Sequence, residues 1–201
     1  MHRVSSFGRR NAANAHGRGA ARRVVGFIVA TLALSASGCD RGDVRLTEAD
    51  ALRAEVTLRS LMAAFERADT ALIEDLFWPA ATYDDFPNQH TYQGVAEIVG
   101  YVTGVHVWAD DVVMNVGEVH VTEDGAVAEW LFSAVQTRPM GDRLSVGTGN
   151  EVVLNGVTVI ELEGERIIRA ADYTDAGAML LQLGGRIEMP DGRTIVLDAR
   201  E

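Results

Sequence analysis

Apolar side chains recur at Leu58, Leu61, Met62 and Phe65, the i, i+3, i+4, i+7 spacing of one helix face. Thr47 followed by Asp50 supplies a helix start, with the acid favourable in the first turn, and the pattern predicts a helix ending near Ala68. Asp69-Thr70 caps a second short helix through Leu72, Leu76 and Phe77, which Pro79 stops. A short strand at 81–83, a polar loop at 84–90 and a third helix from about 94 to 102 follow. From 112 onward the period changes from helical to alternating. Residues 112–121 read as a strand, 122–125 as a turn and 126–136 as the next strand. Trp130 and Phe132 alternate there with Glu129, Leu131 and Ser133, so the two aromatics share one face. A Pro/Gly loop at 138–144 precedes strands at 152–161 and 166–175, a short helix at 176–183 ended by Gly184, and a hairpin at 186–197 turning at Pro190-Asp191-Gly192. Helices first and long strands afterwards predict one α+β domain, a curved antiparallel sheet wrapped around three N-terminal helices. Such a half-open, cone-shaped barrel encloses a cavity, and a cavity between sheet and helices is a default ligand site.

The first 38 residues follow another logic. Arg22 and Arg23 precede the apolar run 24–34, then the small residues 35–38, then Cys39. A basic region, a short apolar region and a small-residue cleavage site make a secretory signal, too short to span a bilayer comfortably. The segment resembles the lipobox of bacterial lipoproteins, which implies Gly38 as the last residue removed and Cys39 as the lipidated N-terminus. Residues 39–46 would then tether the domain to a bacterial membrane, the domain itself would run from 47 to 184, and 185–201 would be a hairpin extension. Two or more acyl chains hold firmly, at about 0.8 kcal/mol per buried CH2.

Charge and composition narrow the chemistry. Residues 1–38 hold six arginines and no acid, so the net −11 of the 201-residue chain becomes −17 on residues 39–201. A domain that acidic repels nucleic acid and anionic headgroups. All 18 basic residues are arginine, which excludes lysine Schiff-base chemistry and a P-loop. The single cysteine excludes an internal disulfide framework and a Cys-rich zinc site. No cofactor motif is present.

The element order, together with Phe65-Glu-Arg-Ala-Asp69, Tyr92-Gln-Gly94, Asp172-Tyr173-Thr174-Asp175 and Leu180-Leu-Gln-Leu-Gly184, resembles the nuclear transport factor 2-like superfamily from about Val56 to Gly184. The branch it is most similar to is the SnoaL-like polyketide cyclases, with ketosteroid isomerases and limonene-epoxide hydrolases as cousins. The resemblance implies the cone fold and a homodimer paired through the sheet face; it does not by itself imply an activity. The epoxide hydrolases' carboxylate falls on Asp172, but their Arg-x-Asp on the preceding strand is replaced by Trp130-Leu131-Phe132. The isomerases' general base falls on Asp85, or on Asp84 with a one-residue shift, while their oxyanion-hole tyrosine is replaced by Leu61. Losing that donor costs an enolate several kcal/mol, so both cousin activities are disfavoured.

Asp172 is the foremost catalytic candidate, because alternation places it with Ile168 and Ala170 in surroundings that raise a carboxyl pKa. Asp85 and His90 are the candidate assistants; Asp84 and Asp85 together read as a solvated loop mouth, and Asp175 as a helix N-cap. Trp78, Tyr83, Tyr101, Trp108, Trp130 and Phe132 are candidates to line an apolar pocket. His106, His120, Asp110 and Asp111 lack metal-ligand spacing. Three readings follow: a lipid-anchored domain binding a small apolar molecule, an enzyme of cyclase, isomerase or dehydratase type using Asp172 as acid or base, and a structural pairing module.

Overall fold

The computed structural model describes residues 46–196. The expected signal segment, Cys39 and all of the expected tether except Leu46 lie outside the described residues. No described helix is long and apolar enough to cross a membrane.

Helix α1, Glu48–Arg67, begins at Thr47, whose hydroxyl accepts from the Asp50 amide at 3.1 Å, and ends where Ala68 turns left-handed at φ 50°. Helix α2, Thr70–Leu76, is capped by Asp69, which accepts from the Leu72 amide. Strand β1, Phe77–Asp85, starts directly behind it, so Leu76 ends the helix and Pro79 lies inside a strand. Pro79 is tolerated because β1's register with its neighbour is interrupted between Phe77 and Thr82, where no amide is required. A 3-10 turn, Phe86–Asn88, leads to strand β2, His90–Gln93. This four-residue edge strand is polar and mostly exposed, so it carries no apolar alternation; it begins at the last residue of the expected loop 84–90 and fills 91–93, which no expected element covers.

Helix α3, Val95–Trp108, runs six residues past its expected end. Gly104 and the β-branched run around it favour termination, but tertiary bonds hold the added turns: His106 Nε2 lies 2.9 Å from the Phe65 carbonyl oxygen, and the Arg138 guanidinium donates to the carbonyls of His106 and Val107. Strands β3 (Ala109–Val121), β4 (Gly125–Gln136), β5 (Glu151–Glu163) and β6 (Arg166–Thr174) follow, then helix α4, Ala176–Gln182, and a hairpin of β7, Ile187–Glu188, with β8, Thr194–Ile195.

The six strands order as β2-β1-β6-β5-β4-β3. The sheet is mixed rather than purely antiparallel, since β1 runs parallel to β6. Alternation within a strand carries no direction, so only the crossover from β1 through the rest of the chain reveals this pairing. The helices cover the inner face, where Leu58, Leu61 and Met62 of α1, Phe77 and Tyr83 of β1, and Ile160 and Ile167 are at most 1% exposed. Each such side chain contributes about 1.5–3 kcal/mol of burial. Between the pairs Glu161–Arg169 and Leu162–Ile167 the β6 strand carries one extra residue, Ile168, and this bulge breaks the alternation, so Ile167 rather than Ile168 enters the core above Ala170.

Candidate functional site

One row of register partners crosses the sheet's inner face. Asp85 at the end of β1 stands opposite Asp172 on β6, and Asp172 stands opposite Thr158 on β5. The parallel β1–β6 pairing thus sets two acids side by side, on strands about 4.8 Å apart. Both border a cavity of about 560 Å3 with Tyr92, Tyr101, Trp108, Trp130 and Phe132 among its walls. Asp172 is 6% exposed and Asp85 2%.

The hydrogen bonds have a forced direction. The Trp130 indole can only donate, and its Nε1–H reaches Thr158 Oγ1 at 2.8 Å. The Thr158 hydroxyl therefore spends its own proton on Asp172 Oδ1, at 2.5 Å. Tyr101 donates to Asp172 Oδ2 at 2.9 Å. The hydroxyl of Tyr83 is buried beside the cluster and coupled electrostatically to Asp172, yet has no hydrogen-bond partner. Asp85 caps the 3-10 turn, accepting from the Asn88 amide at 3.3 Å and from Asn88 Nδ2 at 2.6 Å.

Burial is the main force raising the Asp172 carboxyl; the hydrogen bonds from Thr158 and Tyr101 oppose it, the charge of Asp85 adds to it, and the net result is about 6 against the ordinary 3.8. Burial, then the charge of Asp172, holds the phenols of Tyr83 and Tyr101 well above the ordinary tyrosine range, so both remain donors. A carboxyl poised at about 6 exchanges protons readily near neutral pH, and the apolar cavity presents it to a bound molecule.

Of the residues expected at the site, Asp172, Asp85, Tyr101, Trp108, Trp130 and Phe132 border the cavity. Tyr83 does not: it is fully buried core behind the cavity, with its ring against Phe65, Phe77 and Tyr101. Trp78 is 41% exposed, donates to the Glu163 carbonyl and lies under the Arg166 guanidinium, because it precedes the point where β1 joins β6 in continuous register. His90 is exposed at the sheet edge, edge-on to Tyr92, and does not border the cavity. Asp84 points outward, so the pair 84 and 85 is not one solvated mouth. Asp175 caps α4 through the Ala178 amide. His106 sits in the last turn of α3 with Nε2 2.9 Å from the Phe65 carbonyl oxygen. Among the described residues no three His, Cys, Asp or Glu side chains converge as metal ligands.

The sequence reading missed Thr158, Tyr92 and the methionines. Four of the six methionines, Met62, Met114, Met140 and Met179, line the cavity. Thr158 was legible as the hydroxyl at an inward position between Leu154 and Ile160. The methionines carry no positional signal, since each alone resembles ordinary core.

A model of the SnoaL-like domain matches residues 58–170. No curated protein matches the chain. Among solved structures, a protein of ketosteroid isomerase-like fold from Catenulispora acidiphila, in complex with trimethylamine, superposes with TM-score 0.56 at 19% identity, covering 64% of this chain and 92% of its own. A protein assigned as a SnoaL-like polyketide cyclase from Jannaschia sp. gives TM-score 0.60 at 16% identity, covering 66% and 92%. TsrD from Streptomyces laurentii gives 0.59 at 19%, covering 69% and 98%. At these identities the likeness is one of fold.

Proposed function

This chain belongs to the SnoaL-like domain family, and from that premise we propose that it binds a small, largely apolar molecule in the cone cavity, at the bacterial cell envelope. The observation that carries the reading is Asp172: hydrogen bonds from Thr158 and Tyr101 orient this carboxylate at the wall of a largely apolar cavity. The complex of the Catenulispora protein with trimethylamine supports it, since that fold holds a small organic molecule.

The test uses the full chain and the neutral dye Nile red. Saturable, one-to-one binding with quenching of tryptophan fluorescence is expected. Gly104 borders the cavity, and a side chain grown from it meets nothing within 4 Å, so Gly104→Leu should abolish binding without unfolding the helix. Dye binding that survives Gly104→Leu overturns the reading.

A second reading is favoured by the proton affinity of Asp172: general acid–base catalysis on the same ligand. It predicts deuterium exchange at the α-carbon of a probe ketone such as 2-tetralone, lost in Asp172→Asn. The membrane address rests on Cys39 and its preceding small residues. Cys39→Ser should move the protein from the membrane to the soluble fraction. A homodimer through the outer sheet face draws support from Val113, Leu131, Val153 and Tyr173, which are 37–46% exposed on that face.

A further inference from the structure

Resting on the reading of the cavity as a small-molecule pocket, we infer that its ligand is an organic cation, an ammonium with apolar substituents whose charge sits against Asp85 and Asp172 and whose substituents lie on the aromatic walls.

The charge balance of the site points there. Every group bonded to the two carboxylates is neutral: Asn88 on Asp85, Thr158 and Tyr101 on Asp172. Tyr83, buried beside Asp172 with an unpartnered hydroxyl, likewise brings no positive charge. Such donors stabilise the ionised form of a carboxyl, yet among the described residues no ion pair reaches Asp85 or Asp172. The one arginine bordering the cavity, Arg143, is exposed, donates from Nη1 to Asn88 Oδ1 at 2.5 Å and pairs with neither acid. The site therefore sets two acids in a largely apolar enclosure with no described basic side chain paired to either, and a bound monocation would balance their charge.

The walls suit the same class. Tyr92 and Tyr101 stack with centroids 4.6 Å apart, and Trp108, Trp130 and Phe132 complete an aromatic lining. Aromatic faces attract alkylammonium groups through the ring quadrupole while burying their carbon, which a hydrated metal ion or a small inorganic cation does not exploit. The thioethers of Met62, Met114, Met140 and Met179 add polarisable, adaptable surface for substituents of varied shape. The −17 charge of residues 39–201 draws cations toward the domain and repels carboxylate or phosphate ligands.

The experiment compares benzyltrimethylammonium with its uncharged carbon isostere, neopentylbenzene, on the full chain, by Nile red displacement and tryptophan quenching. The ammonium should bind about tenfold or more tightly than the isostere near neutral pH. That preference should shrink as pH falls below about 6, where Asp172 takes up a proton. The other groups facing Asp172 are Asp85 and Tyr83 from β1 and Tyr101 from α3, with Arg143 at the rim. Asp172→Asn and, independently, Asp85→Asn should each lower ammonium affinity by a larger factor than isostere affinity, so that the ratio between the two probes falls. If Nile red and the isostere bind while the ammonium binds no better, the cation assignment falls and the pocket reading stands. If neither the dye nor either probe binds, both fall.

Discussion

Asp84 and Asp85 are consecutive residues of one strand, and the pleat sends them to opposite faces with opposite fates. Outside, Asp84 accepts from Arg169 Nε at 2.8 Å and from the Thr91 hydroxyl at 2.7 Å, while Arg169 also reaches Glu161 at 2.7 Å. Inside, Asp85 and its register partner Asp172 meet only neutral donors beside an apolar cavity. The outer acid is neutralised in place, as surface carboxylates of a stable sheet commonly are. The inner pair is left incomplete, and incomplete buried charge is a cost that ordinary packing would remove. The difference teaches that acidity alone marks nothing here; what marks the site is an acid whose partners were chosen without charge.

The largest consequence concerns Asp172. Its carboxyl is raised from 3.8 to about 6, so the folded chain holds this proton more tightly than the unfolded one. The stability tied to that proton is fully present below about pH 4 and lost as pH rises through about 6, an amount of roughly 2–3 kcal/mol. Asp172→Asn carries no charge at any pH and should lack this slope. It should exceed the parent chain by about 1–2 kcal/mol near pH 7.5, after losses from an amide facing two donors, with no advantage near pH 4. Urea unfolding at the two pH values reads this directly. Equal pH dependence in parent and variant would mean that Asp172 is not the strained acid described here.

Next in size is Gly156→Ala. The six-membered ring of the Trp130 indole covers Gly156, and an added Cβ would run into it. The ring must then lift from β5, breaking its bond to Thr158 and loosening the orientation of Asp172. A loss of about 1–3 kcal/mol is expected, with a red-shifted tryptophan emission as Trp130 meets water. An unshifted spectrum with unchanged stability would place the indole elsewhere.

What was legible in the sequence divides along physical lines. Caps were: Thr47, Asp69 and Asp175 each hold the amide their spacing predicted, because a cap is a local bond. The shared face of Trp130 and Phe132 was legible from alternation, and both reach the cavity. Contacts set by register were not. Nothing local tells which of Asp84 and Asp85 turns inward, that β1 lies parallel to β6, or that a bulge exchanges Ile168 for Ile167. Trp78 and Tyr83 share a strand and an aromatic character, yet one meets solvent and the other the core. Aromatic identity predicted a pocket; only the packing of sheet and helix decides which rings build it.

A subtler probe of the inner side is Tyr101→Phe. The ring and its stack on Tyr92 remain, but Asp172 loses its donor at Oδ2. The carboxyl should then titrate above the present value of about 6, while stability changes by no more than about 1 kcal/mol. The side-chain carbonyl 13C shift of Asp172, followed against pH, measures it. A titration moving down, or not at all, would show that Tyr101 does not serve the ionised form.

The smallest effect is expected from Asp84→Asn, and its sign is what matters. The substitution removes one of two carboxylates from Arg169, which keeps Glu161, on a face where the Asp84 side chain is 18% exposed. Partly exposed ion pairs of this kind contribute about 0.5–1 kcal/mol, so the variant should be less stable by that amount. In about 1 M salt, where charges are screened within about 3 Å, the deficit should shrink. Asp172→Asn near neutral pH should move stability the other way, although both changes replace one carboxylate by one amide on neighbouring strands. Opposite signs require that the sheet separates a completed charge from an uncompleted one across its own thickness. If Asp84→Asn were stabilising as well, general relief of negative charge would account for both, and the distinction between the two faces would be lost.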